Sequence, residues 1–259
     1  MKQICTPIAL LRLCQDTLSL PITNNDLHPA ELQRELTQGT LWGERTSKGV
    51  LLWRRRESYD RLHYMLAEPV LSAALPARVG TEHYFLPQQE AEPPSFLLQN
   101  GFQSQFFRQR MVHVPTVPTP APTDAVRPAR QSELDRVMQL LRSGFDPITG
   151  WLPTAPILSQ DIACGNVLCL VQKSEVVGAV HFYTTEESCD IRHVVIDPSC
   201  RGKGLGTALI RGFLAAPDVR GKQVRVWART DSPAALGLYR ACGFAPDGYR
   251  SAVMLRGFF

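Results

Sequence analysis

The stretch Val194-Val-Ile-Asp-Pro-Ser-Cys-Arg201-Gly-Lys-Gly-Leu-Gly-Thr207 decides how this chain reads. Three apolar residues close a strand at Asp197-Pro198, glycines follow at 202, 204 and 206, and an amphipathic run from about 204 to 214 stops before Pro217. The glycines let the backbone curl without side chains in the way. The unpaired N–H groups that open the helix then sit at the positive end of its dipole, where a pyrophosphate can bind. Arg201 and Lys203 add positive charge beside them. The order of residues excludes a P-loop, which needs Gly-x-x-x-x-Gly-Lys-Ser/Thr, and it is not the Gly-x-Gly-x-x-Gly of dinucleotide folds. A tight strand-to-helix turn with no ligand uses glycines equally well, so the turn alone leaves both readings open.

Working outward, strands and helices alternate. Upstream, 125–128 reads as a short strand and 131–143 as an amphipathic helix with Leu134, Val137, Met138 and Leu141 on one face. Residues 144–165 form an irregular loop with a short helical piece. A hairpin turns about Lys173-Ser-Glu175 between strands 167–172 and 176–184, and a third strand covers 190–196. Downstream, 223–228 is a strand and Ser232-Pro233 opens a helix with an N-cap and a proline at its first position. Gly243 caps that helix after Cys242, and 251–256 is the last strand.

The clearest seam is Val114-Pro-Thr-Val-Pro-Thr-Pro-Ala-Pro-Thr123, whose prolines favour extended geometry and neither helix nor inner strand. It splits the chain into 1–113, a linker 114–123, and 124–259. The 259 residues correspond to about 1.7 domains at about 150 residues each. With 44% hydrophobic residues and a net charge of +4, disorder is excluded as the main state. Lys plus Arg number 12 against 11 acidic residues in 1–123 and 16 against 13 in 124–259, so neither part carries the field of a nucleic-acid binder. The seven cysteines are scattered, with no Cys-x-x-Cys, which predicts no metal site and reduced thiols in the cytoplasm. Arg12 interrupts the apolar run 4–14 and no cleavage signature follows, so no signal peptide is expected. No stretch approaches the ~20 apolar residues of a membrane span.

Arg201-x-x-Gly204-x-Gly206 resembles the acyl-CoA pyrophosphate loop of the GNAT superfamily of N-acetyltransferases. Downstream, Ser232-x-x-Ala235-x-x-Leu238-Tyr239-x-x-x-Gly243-Phe244 resembles the family's Asn-x-x-Ala-x-x-Leu-Tyr-x-x-x-Gly-Phe, with serine in place of asparagine. The resemblance covers roughly 124–259. It implies an α/β fold with a mixed, mostly antiparallel central sheet flanked by helices, and transfer of an acetyl group from acetyl-CoA, a co-substrate, to a primary amine of a small molecule or peptide.

By that resemblance the loop from Arg201, Gly202, Lys203, Gly204, Leu205 and Gly206 to Thr207 holds the pyrophosphate. Val194, Val195 and Ile196 line the thioester arm, Val194 N–H polarising its carbonyl and the Ile196 backbone pairing with the pantetheine. A fixed backbone donor of this kind is worth about 3 kcal/mol in other systems. Ser232 hydrogen-bonds the pantetheine, and Tyr239 protonates the departing thiolate. Asp190 lies four residues before Val194, on one face by the period of two, as a candidate base or a solvated strand-start residue. Glu187 is a weaker candidate, and His193 has the opposite parity, which makes it a packed or surface residue. In the acceptor loop Asp146 suits an ammonium or an ordinary turn, and Trp151 a stacking partner or ordinary packing. Arg192 instead suits an anionic acceptor.

Asn100-Gly101-Phe102 echoes Cys242-Gly243-Phe244 at an offset of 142 residues. The first half therefore reads as a degenerate GNAT-like copy that lacks the cofactor loop, has Leu97 at the tyrosine position, and walls the acceptor cleft. Arg54-Arg55-Arg56 reads as a solvated edge strand or an anionic patch. An aminoacyl or peptidyl transferase and a non-catalytic CoA-binding module stand as alternatives; the sequence leaves homo-oligomerisation open.

Overall fold

Apolar residues on both faces of several strands set the architecture, because a strand buried on both sides must be sandwiched between helices. A computed structural model describes residues 1–17, 19–24, 28–71, 74–113 and 125–258. The proline-rich linker 114–123 lies outside the described residues.

The chain divides into two compact units, one of residues 1–108 with 248–259 and one of 109–247. In chain order the first half supplies β1 (Lys2–Gln3), α1 (Pro7–Cys14), β2 (Ile22–Thr23), α2 (Pro29–Thr37), β3 (Leu41–Thr46), β4 (Gly49–Arg55), β5 (Asp60–Leu66), β6 (Val79–Phe85), α3 (Ser95–Gln99) and β7 (Gln103–His113). The second half supplies β8 (Val126–Pro128), α4 (Leu134–Gly144), α5 (Ala155–Ala163), β9 (Val167–Gln172), β10 (Glu175–Thr184), β11 (Ser188–Ile196), α6 (Leu205–Ala215), β12 (Gln223–Arg229), α7 (Pro233–Ala241) and β13 (Ala245–Arg256). The short helical piece expected between 144 and 165 is the nine-residue α5.

In the first unit the strand order is β1-β3-β4-β5-β6-β13. All these neighbours pair antiparallel except β5 and β6, which are parallel. Val50, Leu52 and Met65 face α1 and α2 with Ile4, Leu10 and Leu36, while Leu51, Trp53, Leu62 and Tyr64 face α3 with Phe96, Leu97 and Phe102. In the second unit the order is β12-β11-β10-β9-β8, with only β11 and β12 parallel. Helices α6 and α7 cover one face through Leu209, Ile210, Phe213, Leu236 and Tyr239. Helices α4 and α5 cover the other through Val137, Leu141, Leu158 and Ile162.

Residues 250–256 of β13 pair with β6, so the last strand belongs to the first unit. Residues 109–113 of β7 belong to the second unit, where Met111 joins the core of α6 and α7. The sequence boundaries, which keep 1–113 and 124–259 whole, do not describe this exchange of end strands. The order of elements otherwise recurs: strand, two helices, three antiparallel strands, a parallel strand, a helix and a long final strand. Two differences stand out. The first half adds β2, and the described residues between β5 and β6 form no helix.

The three consecutive arginines correct an expectation. Arg54 and Arg55 end β4, which is interior, between β3 and β5, and Arg56 directly follows it. Arg54 is buried and its Nε donates to Glu35 Oε1 at 2.8 Å, and Arg56 Nη2 donates to the same oxygen at 2.5 Å. Only Arg55 extends outward, over the Trp42 ring at 4.4 Å. Burial works against the Glu35 carboxylate, but the charges of Arg54 and Arg56, with hydrogen bonds from Arg56 and Thr40, hold its pKa well below the ordinary range.

Candidate functional site

The site begins where two parallel strands part. β11 and β12 pair from Ser188–Gln223 to Ile191–Val226, and the register stops there, while β11 continues beside β10 as far as Ile196–Gly178. Asp197 N donates to Val177 O on β10 at 2.8 Å. Backbone N–H groups alternate between the two edges of a strand, so Val195 N–H also faces β10, and those of Val194 and Ile196 point to the edge that β12 has left. Ile196 O shares that edge, and Arg201 Nε donates to it at 3.2 Å. The strand thus presents two donors, two residues apart, to an opening in its own sheet.

A β-bulge re-aims the side chains next to it. His181 pairs with His193 but Phe182 pairs with Ile191, so Arg192 is the extra residue. Cys189 and Ile191 consequently share the α6–α7 core with Val194 and Ile196, three residues on rather than two or four. Asp190 therefore does not share the Val194 face, as the simple period of two had suggested. It lies on the opposite face, where Arg225 grips it through two bonds of 2.8 Å and also donates to Ser188 Oγ at 2.9 Å. The shared face expected for Arg192 is lost in the same way; its guanidinium lies 6.0 Å from the Tyr183 ring centroid.

Beyond β11, Asp197 caps a short turn by accepting from Ser199 N at 2.9 Å and Ser199 Oγ at 2.6 Å, and it pairs with Arg136 at 2.5 Å. The Ser199 hydroxyl first, then Arg136, hold the Asp197 pKa down at about 2. Gly202 and Gly204 have φ of +75° and +74°, and a Cβ on either would meet nothing within 4 Å. Backbone conformation, not crowding, calls for glycine at both. Gly204 is the N-cap of α6 and offers no side chain, so the N–H groups of Leu205, Gly206 and Thr207 lack a side-chain cap. The first helical bond runs from Ala208 N to Gly204 O at 3.1 Å. A Cβ on Gly206 would lie 3.3 Å from the Leu238 side chain, which sets how closely α6 approaches α7. Lys203 Nζ folds back onto Ser199 O at 3.2 Å.

On α7, Ser232 is the N-cap but its hydroxyl makes no capping bond, leaving it available. Tyr239 is 6% exposed, with its ring 5.5 Å from Phe244. Burial pushes its phenol well above the ordinary value near 10, so it stays protonated through neutral pH. The helix ends in a Schellman-type cap, Gly243 N to Arg240 O and Phe244 N to Tyr239 O, both at 3.0 Å. The first half repeats this at the predicted offset, with Gly101 N to Leu98 O at 2.9 Å and Phe102 N to Leu97 O at 3.1 Å.

In the loop between α4 and α5, the Asp146 carboxylate accepts from Ile148 N, Thr149 N and Thr149 Oγ1 at 2.8–3.1 Å, which is the ordinary-turn reading of this residue. Trp151 is half-buried with φ of +53°. What the sequence reading missed is a polar cluster beside that loop. His181 Nε2 lies 3.0 Å from Asp161 Oδ2, Tyr183 Oη donates to the same oxygen at 2.9 Å, and His181 Nδ1 lies 3.2 Å from His193 Nδ1. The histidines stand at equal distances, six residues, from Glu187 at the turn between β10 and β11. They meet only because of the bulge: the register Thr184–Cys189 and Tyr183–Asp190, continued unbroken, would set His181 opposite Arg192.

The first unit has the same parting of parallel strands, but its own chain fills it. β5 and β6 pair from Asp60–Val79 to Leu62–Thr81. Just beyond, Asn24 Nδ2 donates to Thr81 Oγ1 and Glu82 O at 2.9 Å, and Asn24 Oδ1 accepts from Tyr64 N at 2.5 Å. β2 continues along β5 through Thr23–Met65 and Ile22–Leu66. The backbone groups that Val194 and Ile196 leave open have their first-half counterparts closed by residues 22–24.

This architecture has known parallels. A GCN5-related N-acetyltransferase from Sphaerobacter thermophilus matches with a TM-score of 0.57 at 17% identity, over 89% of this chain and 86% of that one. A tandem GNAT protein from the clavulanic acid biosynthesis pathway matches with a TM-score of 0.54 at 14% identity, over 83% of each chain. The fold is that of the GNAT proteins. Within it, the family model of the acetyltransferase (GNAT) domain matches residues 164–246, and the chain carries a domain of that family. Among curated relatives, serotonin N-acetyltransferase 2, chloroplastic, of Oryza sativa subsp. japonica is 43% identical over 65 residues, which are 24% of this chain and 32% of the rice protein. The chain spans only 24–37% of the curated relatives it matches.

Proposed function

We propose that the second unit is an acetyl-CoA-dependent N-acetyltransferase acting on a primary amine of a small molecule or peptide. The observation that carries this reading is the open edge of β11, with two outward N–H groups, running directly into an uncapped helix. A pantetheine arm has the hydrogen-bonding groups to pair with that edge, and a pyrophosphate suits the N–H groups of residues 205–207 with Arg201 and Lys203 beside them. Bound there, acetyl-CoA supplies an activated acyl thioester.

Each residue then has a defined task. Val194 N–H donates to the thioester carbonyl oxygen, where charge grows as the amine attacks. Ile196 and the Ser232 hydroxyl fix the arm, and Tyr239 Oη–H protonates the leaving sulfur, while the attacking nitrogen sheds one proton to solvent and the phenolate takes one back. The phenol's raised pKa keeps that proton in place, and the dry surroundings that raise it penalise a thiolate in the same way. Holding amine and thioester together supplies much of the remaining acceleration. The first unit is proposed as a second, GNAT-like copy whose corresponding opening is filled by residues 22–24. The seven free cysteines favour a reducing, cytoplasmic setting. Among the described residues no helix is long and apolar enough to cross a membrane.

The test is release of free thiol from acetyl-CoA across amines, amino acids, amino sugars, polyamines and peptide N-termini. Turnover with at least one class is expected. Binding of acetyl-CoA without turnover on any class would instead favour a non-catalytic CoA-binding module, and acetylation-silent transfer from charged tRNA an aminoacyl transferase.

A further inference from the structure

We propose that Asp161, His181 and His193 form a one-proton latch that fixes the loop between α4 and α5 against β11, making His193 a positioning residue for acyl transfer. This rests on the acetyltransferase reading above. The cluster is deeply buried, with Asp161, His181 and His193 0%, 2% and 5% exposed. It joins three elements: Asp161 on α5, His181 on β10 and His193 on β11, with the imidazole planes parallel to within 8°, their centroids 5.4 Å apart and their Nδ1 edges facing. Its far end leaves the strands, because His193 Nε2 lies 2.8 Å from Gly150 O in the loop, and Phe145 packs edge-on to the same ring at 5.0 Å. Residue 193 directly precedes Val194, so the latch ties the loop to the strand position that polarises the carbonyl.

Counting hydrogens shows why one proton matters. Gly150 O can only accept, so His193 Nε2 carries a hydrogen. The facing Nδ1 atoms share one hydrogen, and His181 Nε2 and Asp161 Oδ2 share another. Three hydrogens on two imidazoles and a carboxylate are one more than two neutral imidazoles and an ionised carboxylate hold. That extra proton balances the buried charge of Asp161. Without it, one of the three links has no hydrogen; with a second, two N–H groups face each other across 3.2 Å. Among the described residues no three His, Cys, Asp or Glu side chains are arranged to hold a metal ion. The groups around the cluster are Tyr183 on β10 and Arg192 on β11. Asp190, also on β11, is held by Arg225.

Substitutions separate the latch from ordinary packing. In Asp161→Asn the amide can donate to His181 Nε2, so every link survives with neutral imidazoles and no extra proton. His193→Phe keeps the ring packing but offers Gly150 O no donor. The experiment is amide hydrogen-exchange protection of residues 145–151 in the full chain across pH 6–10, with side-chain ¹H–¹⁵N correlation of the histidines. In the wild type, protection should fall at least about tenfold on the alkaline side as the proton leaves. It should stay level in Asp161→Asn, and should be lower at every pH in His193→Phe. All three proteins should gain the same thermal shift from acetyl-CoA, so loss of that shift would count against the acetyltransferase reading and not against the latch. Matching profiles for wild type and Asp161→Asn would overturn the proposal. So would unchanged protection in His193→Phe. Should either variant fail to fold, wild-type spectra at pH 7 decide: three hydrogens across the histidine pair and the Asp161 carboxyl support the latch, and two neutral imidazoles beside an ionised Asp161 contradict it.

Discussion

Tyr239 shows what the residue scale can and cannot deliver. Its place in the sequence motif makes it the proposed acid, and its burial raises the phenol's pKa so that the proton is held. Tyr239→Phe should lower turnover by about a hundredfold while leaving acetyl-CoA affinity within about threefold; equal loss of both would make Tyr239 a packing residue. Ser232 is the sharper test of the arm. Its hydroxyl caps nothing, so Ser232→Ala should leave melting unchanged and weaken acetyl-CoA binding by about tenfold, the worth of one hydrogen bond. Asp190 marks the limit of sequence reading at this scale. Counting in twos from Val194 assumes an unbroken strand, and nothing in Asp190-Ile-Arg-His-Val194 announces that Arg192 is an extra residue. One bulge turns a candidate base into the partner of Arg225.

Elements of the second unit were legible because their signals are local: a helix with one apolar face, a proline at a helix start, a glycine after a helix end. The first half resisted because its central strands bury both faces, so β4 and β5 show no alternation, and because partners far apart in sequence decide which charges are solvated. Arg54 and Arg56 are the plainest case, since both are drawn inward by Glu35 on α2. Glu35→Gln removes the carboxylate that Arg54 and Arg56 share, leaving Arg54 to its longer contact with Glu31 at 3.3 Å, and should cost about 3 kcal/mol of stability, read from denaturant unfolding. The pH sign follows from the depressed pKa. The stabilisation from Glu35 is complete above the unfolded carboxylate value near 4.3 and fades as pH falls toward the much lower folded value. Wild type should therefore lose stability on acidification below about pH 4.3 more steeply than Glu35→Gln.

At the scale of the whole molecule, two halves share an order of elements and the same helix-ending hydrogen bonds at Gly101 and Gly243, yet among the described residues the edge beyond the parting strands is paired by β2 in the first half, whereas β12 leaves it at Ile191 in the second. The Gly-Phe pair was the visible trace of that likeness. The exchange of the final strands left no local mark, because a strand's sequence does not say which sheet it joins. Closure of the first opening by Ile22–Asn24 also depends on long-range pairing. The most direct test is calorimetric titration of the full chain with acetyl-CoA, beside Gly204→Trp and Gly221→Trp. Gly221 has φ of +85° with nothing near its Cβ, so tryptophan there imposes comparable backbone strain away from the site. One binding site per chain is expected, weakened at least about a hundredfold by Gly204→Trp and little changed by Gly221→Trp. No binding, two sites, or indifference to Gly204→Trp would contradict the account.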